Sequence, residues 1–220
     1  MSNIKEILDS LPSFKFKANT LETYYQLLST MVTGASFFRL RRLLGDNGVF
    51  LSQYLYHLKH SGLIMRVDGE YRLTEKGKVF LHIYESMREI LEGERFVEII
   101  RTVCNPIMAG ILLILYDSPK RIKDVVRELF DIMNPGIKMQ SVYRYVSVDL
   151  TRLGLVEKCE NELYCLSELG KEVVRRVVVC IEQKDYLRRE ESEAIRMILA
   201  RIEKIERELS ELKSFILSLF

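Results

Sequence analysis

The apolar residues of the chain follow two spacings in turn. At first they recur every three or four positions, which predicts three helices that each end at a glycine. Two short apolar runs then flank Asp68-Gly69, a dipeptide typical of two-residue hairpin turns. Thr74 is a typical N-cap residue and begins a fourth helix, from Glu75 to about Leu91. The three helix-ending glycines are Gly34, Gly45 and Gly62. The predicted inward face of the third helix is Phe50, Leu51, Tyr54, Leu55 and Leu58.

The same order returns about ninety residues later. The pairs that match at an offset of 92 are Leu58 with Leu150, Gly62 with Gly154, and Leu63 with Leu155. The pairs that match at an offset of 93 are Leu73 with Leu166, Thr74 with Ser167, Gly77 with Gly170, and Lys78 with Lys171. The extra residue falls in the hairpin loop, where a loop absorbs it. The chain therefore contains two copies of one unit, called here the first and the second repeat.

The repeats give the domain boundaries. We predict an N-terminal extension at 1–18, a first domain at 19–93, a second domain at 94–182 and a C-terminal helix at 183–220. In the second repeat Asn105 and Pro106 are a cap and a first helical residue. The inward face of its third helix is Val142, Val146, Leu150 and Leu153. The link between the repeats is Glu92 to Phe96, and the sequence leaves open whether the repeats pack together or move about it.

The last part of the chain has a third pattern. Apolar residues repeat at intervals of three and four, as the a and d positions of a coiled coil do. They are Ile195, Ile198, Ile202, Ile205, Leu209, Leu212, Ile216 and Leu219. We expect self-association through this helix, as a homodimer, although Ile at both positions also favours more strands. The alternative is an amphipathic helix packed on its own domain.

The two hairpin regions carry a family resemblance. The segments "LKHSGLIMRVDGEYRLTEKG" and "LTRLGLVEKCENELYCLSELG" resemble winged helix-turn-helix regulators of archaea and bacteria, of the MarR and PadR kind. The resemblance covers about residues 19–92 and 95–182. It implies a mainly α fold with small β-hairpins, in which two winged helix-turn-helix domains precede a long C-terminal coiled-coil helix. It also implies that the chain binds double-stranded DNA and regulates transcription.

The net charge of +2 does not itself argue for nucleic-acid binding, so a DNA site must come from local clusters. In the first repeat, a third helix in the major groove presents polar side chains to base edges, while the second helix and the hairpin contact phosphates. The candidate residues there are Arg39, Arg41, Arg42, Ser52, Gln53, Tyr56, Lys59, His60, Arg66 and Arg72. The alternative is an ordinary solvated surface.

The second repeat has a weaker case for DNA. Its candidate residues are Lys120, Arg121, Lys123, Arg144, Ser147, Thr151 and Arg152. Its hairpin, however, carries Glu157, Glu160 and Glu162, which phosphate would repel. The second repeat is therefore expected to bind DNA more weakly or to contact a protein. A second hypothesis for the whole chain follows, namely a protein-interaction adaptor in a larger assembly, without direct DNA readout.

The sequence offers little chemistry. His57 and His60 lie on one helix, but no nearby carboxylate or Cys completes a metal site, and no phosphate-binding or nucleophile motif is present. We expect no enzyme activity and no cofactor. The first twenty residues have no long apolar core, and the longest apolar run, Ile107 to Tyr116, is too short to cross a membrane. A cytoplasmic location without membrane contact is therefore expected.

The four cysteines include no C-x-x-C pair, so zinc binding is not expected, and buried free thiols are the simplest interpretation. If the loop of the second hairpin spans Asn161 to Leu163, Cys159 and Cys165 lie directly opposite each other. A cross-strand disulfide, or a redox-sensing pair, is then a further hypothesis.

Overall fold

The structure is a computed structural model, and it describes residues 4–45, 50–133 and 138–182 of the 220-residue chain. The C-terminal helix predicted at 183–220, with its a and d positions from Ile195 to Leu219, lies outside the described residues. The coiled coil and the dimer stay predictions.

The first repeat contains the helices and the hairpin in the predicted order. Its elements, with the helix that precedes them, are α1 (Ile4–Ser10), a 3₁₀ turn (Ala18–Thr20), α2 (Leu21–Thr30), α3 (Phe37–Leu44), α4 (Leu51–His60), β1 (Ile64–Val67), β2 (Glu70–Leu73) and α5 (Glu75–Arg88). The turn at Asp68-Gly69 is confirmed, since both residues have positive φ (51° and 83°), as a type I′ hairpin turn requires. Ser36 caps α3 by accepting a hydrogen bond from the N–H of Arg39 at 3.3 Å.

Three details of the first repeat differ from the prediction. The first helix ends at Thr30 rather than Gly34, and the fourth ends at Arg88 rather than Leu91. Phe50, predicted to face inward, is 51% exposed. It is the N-cap residue of α4, whose inward stripe begins at Leu51. Successive helical residues point about 100° apart, so Phe50 lies off that stripe.

The second repeat follows the same order. Its elements, with the helix that precedes them, are α6 (Gly93–Val103), α7 (Pro106–Asp117), α8 (Ile122–Met133), α9 (Met139–Arg144) with a π-helical continuation (Tyr145–Leu150), β3 (Val156–Lys158), β4 (Tyr164–Leu166) and α10 (168–182). Asn105 caps α7 as predicted, because its side chain accepts hydrogen bonds from the N–H groups of Ile107 (3.0 Å) and Met108 (3.3 Å).

Each hairpin is joined to its neighbours by the same set of contacts. In both repeats the N–H of the Thr or Ser cap donates to a leucine carbonyl before the hairpin, at 3.0 and 3.1 Å. The cap hydroxyl donates to a glycine carbonyl and accepts from the N–H of a second glycine, at 3.2 and 3.0 Å. A Cβ on that second glycine would overlap the leucine carbonyl oxygen in either repeat. The two sets are Gly62, Leu63, Thr74 and Gly77, and Gly154, Leu155, Ser167 and Gly170.

A third backbone segment pairs with the second strand of each hairpin. Ala35 forms an antiparallel bridge with Tyr71, through N–H···O bonds of 3.0 and 2.8 Å. Lys120 forms the matching bridge with Tyr164, again at 3.0 and 2.8 Å. In both repeats the residue two positions before the second helix is thereby fixed to the hairpin.

The proposed link at Glu92 to Phe96 is wrong. Residues from Gly93 onward form α6, which packs against α5 and α7. The Phe96 ring is buried, with its centroid 5.0 Å from that of Tyr84 in an edge-to-face contact. The described residues up to Ile181 belong to one compact unit, so the two repeats pack together.

Arg176 connects the two repeats across α5 and α10. Its guanidinium donates to the Ser86 carbonyl at 2.6 Å and pairs with Glu89 at 2.7 Å and with Glu172 at 2.6 Å. The side chain is only 18% exposed. This cation therefore holds three partners at a largely covered junction.

Helix α1 packs on α7 and α8, in the second repeat. Ile7, Leu8 and Leu11 are all buried. Gly110 of α7 lies beneath Leu8, where a Cβ would come within 3.6 Å of the Leu8 Cδ1. The N-terminal segment thus contributes to the core of the second repeat.

No single helix within the described ranges is both long and apolar enough to cross a bilayer; α6 and α7, bent by 89°, meet that test only as a pair.

Candidate nucleic-acid interface

Helices α3 and α4 expose one face of the first repeat. Leu40 and Leu44 of α3, and Leu51, Leu55 and Leu58 of α4, are buried. The opposite faces point to solvent because the apolar residues of each helix follow the helical period. All the DNA candidates of the first repeat are exposed, namely Arg39, Arg41, Arg42, Ser52, Gln53, Tyr56, Lys59, His60, Arg66 and Arg72.

The charges on these two helices have one sign. Arg39, Arg41 and Arg42 on α3 and Lys59 on α4 are cationic, and neither helix contains Asp or Glu. The whole chain has 33 Lys and Arg against 31 Asp and Glu, so two neighbouring helices with cations and no carboxylate depart from its average balance of charge. Tyr56 is 64% exposed and stacks on His60, with ring centroids 5.7 Å apart. This surface has the charge and the aromatic group that a nucleic acid contacts.

The first hairpin is closer to neutral than its two arginines suggest. The Arg72 guanidinium lies 3.4 Å from the Glu70 carboxylate. The Arg66 guanidinium lies over the Tyr71 ring, 5.6 Å from its centroid. Asp68 at the tip adds a further negative charge. On the candidate face, helices α3 and α4 therefore provide more of the positive charge than the hairpin does.

Lys120, one of the predicted DNA contacts, is not an exposed cation. Its Nζ lies 2.7 Å from both carboxylate oxygens of Glu128, and its side chain is 17% exposed. Its backbone is held in the bridge to Tyr164. The remaining candidates of the second repeat are exposed, namely Arg121, Lys123, Arg144, Ser147, Thr151 and Arg152.

Several polar groups on the third helix of the second repeat have partners within the protein. Arg144 pairs with Asp149 at 3.6 Å, and Arg152 pairs with Glu98 of α6 at 3.1 Å. The hydroxyl of Ser147 donates to the Tyr143 carbonyl at 2.7 Å, and that of Thr151 donates similarly to a backbone carbonyl at 2.8 Å. This face offers fewer unpaired groups than α4 does.

The sequence reasoning missed the π-helical segment Tyr145–Leu150. Such segments are rare and are frequent at functional sites. Tyr145 and Asp149 line a cavity of about 830 Å³, together with Phe16 and Arg101. The residues from the N-terminal segment and α6 come to this place only through tertiary packing, so the linear pattern gave no signal for it.

The two hairpin cysteines form a disulfide, which confirms that hypothesis, but the register on which it rested is wrong. Cys165 lies opposite Glu157, and the N–H of Cys159 donates to the Leu163 carbonyl at 2.7 Å. The two cysteines are therefore diagonal neighbours, with their Cα atoms 6.3 Å apart, which a disulfide can bridge. Positive φ at Asn161 (57°) and its neighbour shapes the loop that allows this pairing.

The second hairpin differs from the first in charge and chemistry. Glu157, Glu160 and Glu162 are all exposed. The oxygen of Glu157 and the sulfurs of Cys159 and Cys165 lie within 4.8 Å of one another. The other two cysteines, Cys104 and Cys180, are free and buried, and burial raises the pKa of each thiol. Of the four cysteines, the two in the second hairpin are therefore paired with each other, and the other two are buried thiols.

Comparison with known proteins supports the fold of the first repeat. Residues 47–92, which span α4, the first hairpin and α5, match a family described as winged helix-turn-helix. No curated protein and no solved structure matches the chain. The chain therefore contains a winged helix-turn-helix domain, and such a domain is consistent with DNA binding.

Proposed function

We propose that this protein is a DNA-binding transcription regulator, related to the MarR and PadR kind, and that the first repeat reads duplex DNA. The observation that carries the proposal is the surface of α3 and α4. It combines four exposed cations, no carboxylate on either helix, and an exposed polar face. Helix α4 lies within the segment that matches the winged helix-turn-helix family, and α3 directly precedes that segment.

In this proposal α4 enters the major groove. Gln53 offers an amide that pairs with the two edge groups of adenine, and Ser52 and Tyr56 offer hydroxyls to bases or phosphates. The arginines of α3 bind phosphates and set the position of α4. Arg66 of the first hairpin is within reach of the neighbouring backbone.

We propose further that the second repeat is a second winged domain with a different task. The repeated set of hairpin and cap contacts supports the shared architecture. Its acidic hairpin and internally paired arginines, Arg144 and Arg152, argue against strong phosphate binding. The C-terminal helix pairs two chains, and the pair binds a pseudo-palindromic DNA site. It acts in the cytoplasm, without catalysis and without a cofactor.

The test is a salt titration of the full chain with random-sequence duplex, followed by fluorescence anisotropy. Each lost phosphate contact lowers the slope of log K against log salt by about 0.9, so R41A/R42A reduces it by about 2. The matched control is R121A/K123A, which removes the same charge from the second repeat and leaves the slope nearly unchanged. If wild-type protein gives no anisotropy change at low salt, the DNA-binding proposal fails.

A protein-interaction adaptor is the second candidate. It is favoured by the acidic second hairpin and by the exposed apolar side chains Phe38 (80% exposed) and Phe50 (51% exposed) on the first repeat. Sedimentation equilibrium of the full chain against a 1–190 truncation tests the self-association that the regulator proposal assumes. An unchanged monomer mass in both would end the coiled-coil proposal.

A further inference from the structure

The second hairpin brings three potential metal ligands to one place. Glu157 lies opposite Cys165 on the paired strand, and its Oε1 is 3.7 Å from the Cys165 Sγ. Cys159 reaches the same point from the diagonal position, where it is joined to Cys165 by the disulfide. All three ligand atoms lie within 4.8 Å of one another. No short sequence motif links them, because the register of the hairpin creates the cluster.

We propose that, once this disulfide is reduced, the second hairpin binds one Zn²⁺ ion through the thiolates of Cys159 and Cys165 and the carboxylate of Glu157. Thiolate and carboxylate are both established zinc ligands. Bond lengths of about 2.3 Å to sulfur and 2.0–2.2 Å to oxygen place two tetrahedral ligands about 3.5 Å apart. The 3.7 Å between the Cys165 Sγ and the Glu157 Oε1 is close to that separation.

The surroundings allow a fourth ligand. Glu157 and both cysteines line a cavity of about 380 Å³, and Asp117 at the end of α7 lines it too. A water molecule or this carboxylate completes the tetrahedron. Lys171 also lines the cavity and is the cation that opposes a bound metal. Its ammonium pairs with Glu168 at 2.7 Å and is also attracted by the Glu157 carboxylate, so a bound metal competes with this cation.

The disulfide and the metal exclude each other. In the oxidised chain both sulfurs are bonded to each other and offer no thiolate. A phosphine reductant breaks the S–S bond, and the phosphine becomes its oxide with an oxygen atom taken from water. Two thiols result, and each loses its proton when it binds the metal. The hairpin therefore has two alternative closures, one covalent and one through a metal ion.

The chain supplies its own controls. Cys104 and Cys180 are free, buried thiols away from the second hairpin. Burial raises the pKa of both, so neither readily gives the thiolate that a metal requires. The proposal needs only the second hairpin, and it stands or falls independently of DNA binding.

The experiment titrates Co²⁺, a spectroscopic substitute for zinc, into the full chain reduced with tris(2-carboxyethyl)phosphine. We expect a thiolate-to-cobalt charge-transfer band and the visible bands of tetrahedral cobalt, which saturate at one equivalent and vanish when Zn²⁺ is added. C180A retains both sets of bands. C159S and C165S each weaken the charge-transfer band, C159S/C165S loses it, and E157Q weakens cobalt binding by about tenfold or more.

Three results overturn the proposal: no charge-transfer band in reduced wild-type protein, an equal band in the disulfide form, or an equal band in C159S/C165S. The comparison of reduced with oxidised wild-type protein needs no substitution, so it decides the question even if a variant fails to fold. Far-ultraviolet circular dichroism of each variant identifies such a failure.

Discussion

The repeated hairpin–helix junction gives the sharpest test of the fold. Thr74→Ala and Ser167→Ala each remove a hydroxyl that makes two hydrogen bonds. One bond caps the following helix, from the N–H of Gly77 (3.2 Å) or Gly170 (3.0 Å). The other is donated to the glycine carbonyl that ends the preceding helix.

The expected cost follows from these two bonds. Loss of a Ser or Thr cap costs about 1 kcal/mol. Loss of the second bond adds about 1 kcal/mol and leaves a carbonyl without its partner. Each substitution therefore lowers the free energy of unfolding by about 2 kcal/mol. For a unit of this size, that is a fall in Tm of about 4–8 °C.

The assay is urea unfolding at fixed protein concentration, monitored by circular dichroism. Because the described residues up to Ile181 form one compact unit, both substitutions should shift a single transition by similar amounts. Thr74→Ser and Ser167→Thr keep the hydroxyl and serve as controls, each with a cost well below that of its alanine variant. A loss below about 0.5 kcal/mol in both alanine variants, or an equal loss in the controls, would refute the reasoning.

Two further predictions concern the junction between the repeats. Arg176→Ala removes several charged hydrogen bonds at a covered site, so it should lower the free energy of unfolding in urea by about 2–3 kcal/mol. The control is Arg175→Ala, whose side chain is 58% exposed and which should cost less than about 0.5 kcal/mol. Equal losses in the two variants would contradict a role of burial. Hydrogen bonds from Arg175 and, to a smaller extent, Arg176 lower the pKa of Glu172 to about 2, below its value in the unfolded chain. The contribution of Glu172 to the free energy of unfolding is therefore complete above about pH 5 and is lost as the pH falls through about 2. The stability difference between wild type and Glu172→Gln should therefore shrink between those pH values, and a constant difference would contradict the prediction.

Local signals account for what the sequence predicted well. The Asp68-Gly69 turn needs positive φ at both positions, and few dipeptides permit it. The caps at Thr74 and Asn105 are equally local, since each side chain bonds a backbone group two or three residues away. The exposed face of α4 follows from the helical period alone.

Tertiary contacts account for what the sequence did not predict. The segment after Glu92 resembles a loop because of its glycine and charges, yet buried Phe96, Ile99 and Ile100 make it part of a core helix. The register of the second hairpin depends on the conformation of a three-residue loop, which the pattern of strands does not fix. The ion pair between Lys120 and Glu128 corresponds to no sequence motif, so the sequence did not predict it.

The same limit applies to the candidate interface. Exposure of the DNA candidates in the first repeat could be inferred from amphipathic spacing. The pairing of Arg72 with Glu70 and of Arg152 with Glu98 depends on which side chains meet after packing. The difference in charge between the two repeats was visible in the sequence, whereas the pairing of Lys120 with Glu128 required the folded surface.

The placement of α1 has a consequence for how the chain is made and how it can be cut. During synthesis Ile7, Leu8 and Leu11 leave the ribosome about a hundred residues before α7 and α8, on which α1 packs. The first repeat can begin to fold while this apolar helix still waits for its partners. A recombinant fragment that starts at residue 94 would lack α1, and the parts of α7 and α8 on which α1 packs would lose that cover. A recombinant second repeat should therefore include residues 1–18, as a fused segment or as an added peptide.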